Sequence, residues 1–147
     1  MKKIEELYNY ADNQNIKIKN FTDNEKKLNG ICLYDNKICN IYINTAIESE
    51  VEEKCVLAEE IGHYETGIIK TKLNYTDHQN CLIRSINEFK AKKWAVSKLI
   101  PFNDFKRFLG TNCSKFEIAE ELDVTEDLIN MACFIYEPLI YELGDDK

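Results

Sequence analysis

The sequence predicts an α+β fold, and three of its features carry that prediction. Residues 16–44 hold short runs that alternate apolar and polar side chains with the period of a strand. The flanking segments repeat apolar residues at helical spacing, and turn-forming Asn, Asp and Gly cluster at the joins. A chain of 147 residues with 44% hydrophobic content has enough apolar material for one domain with its own core.

The stretch KIEELYNYADNQN sets Ile4, Leu7, Tyr8 and Ala11 on one helical face before an Asn-rich turn, so a first helix is expected over residues 3–13. IKIKNF puts Ile16 and Ile18 on one side of a short strand, and a polar link covers 22–29. GICLYDNKICNIYIN then presents two β-rich runs around Asp35, Asn36 and Lys37, residue types that suit a tight hairpin. A small antiparallel sheet follows from these runs. ICNIYINT within it reads either as an edge strand open to a substrate peptide or as plain core hairpin.

From residue 46 the period becomes helical, with Thr45 or Ser49 as N-cap and glutamates in the first turns, where they favour the helix dipole. Residues 67–79 are polar and irregular, and a third helix is expected over 83–99, stopped by Pro101. A short helix near 103–109 precedes SKFEIAEELDVTEDLINMACFIYE, which reads as helix, turn, helix with Ser114 and Thr125 as caps. The expected organisation is a single domain, 1–147, with a core of 1–110 and a helical C-terminal extension of 111–147.

No apolar run approaches the roughly 20 residues that span a bilayer, and the N-terminus turns polar at once, so neither a membrane anchor nor a signal peptide is expected. Six cysteines without a CxxC pair point to thiols in a reducing cytosol and hence to a cytoplasmic protein. Cys32 and Cys39 flank the hairpin turn and read as buried thiols. The net charge of −7 opposes the attraction to phosphates on which most nucleic-acid binding rests. The tail spacing of Ile118, Ala119, Leu122, Val124 and Ile129 fits a helix-turn-helix, which makes a DNA-binding regulator the rival reading. From Phe116 onward, however, ten acidic residues stand against Lys147 alone, and a helix beginning Glu126-Asp127 would be repelled by phosphates.

The chemistry concentrates in KCVLAEEIGHYETG. Glu59 and His63 lie one turn apart on the same helical face and can reach one cation, with Glu60 about 100° round the axis. That is the arrangement of HExxH with Glu in the first position, in which the intervening Glu60 acts as general base. Zinc accepts a carboxylate there, and the harder, more negative donor set also admits manganese or iron. An acidic surface helix with a packed histidine is the plain alternative. A third ligand is available in NEFKAKKWAVSKLIP, where Glu88, Ala91 and Ala95 share a face; the alanines, with Gly62 opposite, would let the two helices approach closely. His78, in the polar segment between these helices, reads either as a further ligand or carbonyl polariser or as a solvent-exposed residue. Trp94 and Tyr64 read as core aromatics.

LAEEIGHYETG followed by EFKAKKWAVSKLIP resembles the ImmA/IrrE family of small metallopeptidases, in particular members encoded by phages and mobile elements, over most of the chain. The resemblance implies a zincin-like fold and a zinc-dependent endopeptidase whose substrate is a helix-turn-helix transcriptional repressor. It assigns His63 and Glu88 as metal ligands and Glu60 as general base, and it sets Glu59 where the family has its first histidine. A catalytically weak relative that binds a regulator is the companion reading.

Overall fold

The computed structural model describes residues 2–67 and 78–144, without the side chains of 78–83 and 141–144. It is an α+β fold; among the described residues there are six helices and one mixed sheet of three strands.

Helix α1 spans Lys3–Asn13 and buries Leu7 and Ala11. Strand β1, Lys17–Phe21, follows a left-handed Asn15 (φ 59°). Strands β2, Gly30–Asp35, and β3, Ile38–Asn44, form a hairpin whose two-residue turn holds Asn36 at φ 50° and Lys37 at φ 69°. Two positive φ angles match the twist of a type I′ hairpin turn, which fixes the register Asp35↔Ile38, Tyr34↔Cys39 and Cys32↔Ile41.

The sheet departs from the antiparallel expectation. β1 pairs parallel with β3, the order is β1-β3-β2, and ICNIYIN is therefore the central strand rather than an edge. The reason is the link at 22–29, which carries the chain past the position beside β1 so that β3 enters between β1 and β2. Asn44, 1% exposed, holds that link. Its amide nitrogen donates to the Asp23 and Leu28 carbonyls at 2.8 and 3.1 Å, and its Oδ1 accepts from the Asp23 and Ala46 amides at 3.0 Å each. A buried amide with both donors and its acceptor in use fixes a loop firmly.

Helix α2, Glu50–Glu65, is capped by Ser49, which accepts from the Glu52 amide at 3.3 Å; Ser49, not Thr45, is thus the N-cap. Leu57, Ala58 and Ile61 of α2, fully buried, join Ile41 and Ile43 of the sheet in the core. Thr66 closes its end, donating to the Gly62 carbonyl at 2.9 Å, and Gly67 takes a left-handed φ of 71°.

Helix α3, His78–Leu99, begins earlier than the sequence predicts because its polar first turn, HQNC, carries no apolar repeat. The irregular segment read over 67–79 otherwise lies outside the described residues, as does the side chain of His78. Trp94 and Tyr64 pack against the core as expected, with the Trp94 and Tyr10 rings 5.6 Å apart.

Helix α4, Phe102–Lys106, and helix α5, Lys115–Leu122, lead to helix α6, Glu126–Gly144. Ser114 and Thr125 accept from the Glu117 and Leu128 amides at 3.1 and 3.3 Å, the caps the sequence predicts. Asp123 ends α5 in the left-handed conformation and is tied to α2 by Lys54, whose ammonium is 3.0 Å from Asp123 Oδ2 and also donates to its carbonyl.

α2 and α3 meet at Gly62. A Cβ there would lie 2.4 Å from the Ala91 carbonyl oxygen and 3.0 Å from its Cα, so the two helices are in backbone contact and only glycine fits. Gly62→Ala should therefore part the helices and destabilise the chain by about 2 to 3 kcal/mol, as overpacking of a rigid contact does; denaturant unfolding measures it, and an unchanged midpoint would refute the close contact.

Candidate metal centre

The close approach at Gly62 decides where α3 presents its polar residues. Glu88 lies one turn before Ala91, and it is delivered to the α2 face that carries Glu59 and His63. Ligand-capable atoms of Glu59, His63 and Glu88 lie within 4.8 Å of one another. His63 Nε2 is 3.4 Å from Glu88 Oε1. With metal–ligand bonds of about 2.0 to 2.1 Å, a tetrahedral edge is about 3.3 to 3.4 Å, so this pair is already at the spacing a zinc ion requires.

His63 is 2% exposed, and among the described residues neither ring nitrogen has a hydrogen-bond partner. A buried imidazole in that condition is costly unless something else engages it. Glu59 and Glu88 are half-buried and share a hydrogen bond. Burial first, and then that bond, push the Glu59 carboxyl up from an ordinary 4.5 to about 8, against the opposing Lys92 charge. The donor set fits a divalent cation: two carboxylates and one imidazole converge, and a cation would engage the imidazole and take the place of the proton the carboxyls share.

Glu60, 6% exposed, lies against the sheet at Gly30. A Cβ on Gly30 would come within 3.0 Å of Glu60 Cγ and 2.8 Å of Val56, so glycine at the start of β2 is what lets the helix and its carboxylate sit this close. Of the four residues singled out in the sequence, Glu59, His63 and Glu88 form one cluster, and Glu60 lies against the sheet, within electrostatic reach of Glu59.

Three further residues shape the site. Lys92, one turn beyond Glu88, acts electrostatically on Glu59 and Glu88 and is held by Asp127 at 3.1 Å. Its i+4 spacing from Glu88 was the legible clue. Asn29 and Glu59 both line a cleft of about 450 Å³, with Val56, Asp127 and Leu128 on its walls. The Asn29 Oδ1 is buried and has no hydrogen-bond partner among the described residues. Gly30 is the third, and nothing short of the strand-to-helix contact marks it.

The chain matches no protein-family model and no curated protein. No helix among the described residues is long and apolar enough to cross a membrane.

The raised Glu59 value has a definite sign. Through Glu59 the folded, metal-free chain binds up to one proton more than the unfolded chain between pH 4.5 and about 8, so the Glu59 contribution to stability is fully present below that window and is lost as pH rises through it. Thermal unfolding against pH should show this decline, and Glu59→Gln should flatten it. At pH 7 a cation must displace the shared proton, so titration of zinc into the metal-free chain should release about one proton per ion. Calorimetry in buffers of different ionisation enthalpy reads that number, and a value near zero would mean the carboxyls do not participate.

Proposed function

We propose that the chain is a metal-dependent endopeptidase in which Glu59, His63 and Glu88 hold a divalent cation and Glu60 is the general base. The observation that carries this reading is the convergence of three donors from two helices around an imidazole with no hydrogen-bond partner among the described residues, with the Glu60 charge acting on Glu59. The nitrogen and oxygen donors suit zinc, with manganese or iron admitted by the second carboxylate. The cation would supply Lewis acidity toward a peptide carbonyl. Glu60 would take the proton from the attacking water and return it to the leaving amine, and its burial beside Gly30 keeps the carboxylate in one place for both transfers.

The edge strand for a substrate is β2. It pairs with β3 on one side, and its first residue touches Glu60, so an extended peptide added to its outer edge would run alongside the base. The substrate class follows from the ImmA/IrrE resemblance, a helix-turn-helix repressor of a phage or mobile element. A basic repressor is also what the acidic α5–α6 surface suits, with its exposed Phe116 and Phe134.

One observation favours a second reading, in which the chain binds a regulator with little or no catalysis. The Glu59–Glu88 hydrogen bond satisfies the two carboxyls without a cation. A helix-turn-helix regulator fits less well, because α6 opens on Glu126 and Asp127.

Glu60→Gln separates these readings. Zinc-loaded chain and variant, each incubated with a peptide library and read by mass spectrometry, should differ by at least about 100-fold in cleavage rate. Metal content should stay at one ion per chain in both, by elemental analysis. Equal cleavage would sink the role of Glu60, and absence of cleavage in the native chain with metal bound would favour the binding reading.

A further inference from the structure

The left-handed Asn36-Lys37 turn sets the hairpin register, and the register puts Cys32 and Cys39 diagonally across from one another on the face turned toward α2. Their Sγ atoms are 3.1 Å apart, and the residues are 1% and 3% exposed. A disulfide needs about 2.05 Å, so the two sulfurs have only about 1 Å to close between them. The hydrogen bond from Cys32 draws the Cys39 thiol below its ordinary range, with burial and the neighbouring Glu60 carboxylate opposing. A thiol so placed is the one that ionises and attacks.

We propose that Cys32 and Cys39 form a redox-active dithiol, which a peroxide converts to an intrachain disulfide beside the Glu60 carboxylate. The Cys39 thiolate attacks one peroxide oxygen; the O–O bond breaks, hydroxide leaves and is protonated to water, and Cys39 becomes a sulfenic acid. Cys32 Sγ then attacks Cys39 Sγ; the S–O bond breaks and a second water leaves with the Cys32 proton. Two thiols lose two electrons and two protons, and the peroxide is reduced to two waters. Burial selects a small oxidant over bulky disulfides, and local opening of the edge strand β2, which carries Cys32, would admit it. The new bond would lie two residues from Gly30, the residue that lets Glu60 approach the sheet, so oxidation would act on the placement of that carboxylate.

The sequence makes the test direct, because Lys37 lies between the two cysteines. The reduced full chain is treated with hydrogen peroxide, remaining thiols are alkylated in denaturant, and trypsin is added. Cleavage after Lys27, Lys37 and Lys54 gives fragments 28–37 and 38–54, each with one cysteine of the pair. Most of both fragments should leave as one species, lighter than their sum by one hydrogen molecule, and dithiothreitol should separate them. Cys32→Ser should instead leave Cys39 as a sulfenic acid that dimedone traps. Fragments that emerge apart, alkylated or oxidised singly to sulfinic acid in the native chain, would overturn the proposal whatever the chain's activity proves to be.

Discussion

The structure depends on one contact, the backbone of α2 at Gly62 against the backbone of α3 at Ala91. Helices ordinarily pack about 8 to 10 Å apart, at a distance set by the side chains between them. Here there is no side chain on one partner and a methyl group on the other, and a Cβ at Gly62 would be 2.4 Å from the Ala91 oxygen. Glu88 is one turn from that contact and His63 one residue from it, so their 3.4 Å separation follows from the glycine as much as from the donors themselves. A Cβ at Gly62 would force the helices apart and so lengthen that separation.

Around this contact the chain concentrates charge that burial opposes. Glu59 and Glu88 are adjacent carboxyls in partly desolvated surroundings, and Glu60 is buried next to them. The metal-free protein lessens the repulsion in two ways, by a Glu59 carboxyl that burial and its hydrogen bond to Glu88 push toward the protonated form and by placing the Lys92 ammonium nearby. The second arrangement is itself restrained, since Asp127 of α6 holds Lys92. The sheet contributes through β2, whose position is set by the Asn44 hydrogen bonds to the link before it.

Much of this was legible in the residues. The i, i+4 relation of Glu59 and His63 is local, and so are the caps at Ser49, Ser114 and Thr125 and the Asn36-Lys37 turn. The small residues at 62, 91 and 95 announced a close helix pair, although no local rule says which helices will meet. What was hidden is what depends on chain path. The parallel pairing of β1 with β3 is decided by how the 22–29 link runs, and that in turn by Asn44, whose buried side chain looks like any polar strand residue in the sequence. Gly30 reads as the start of a strand until α2 is seen lying against it. The ImmA/IrrE resemblance set expectations for the ligand set, and the fold brings Glu59, His63 and Glu88 within reach of one another.

The tie between Lys54 and Asp123 bears on how the C-terminal helices should be regarded. Lys54 is 6% exposed, and its ammonium reaches the left-handed residue at the end of α5. Asp127 and Leu128, a few residues on, form one bank of the cleft beside Glu59. A chain cut before α5 would strand a positive charge in the interior and open that bank to solvent. The last two helices are masonry in the same wall as the ligand-bearing helix, and the seam the sequence suggests at residue 110 is crossed by a bond the interior cannot spare.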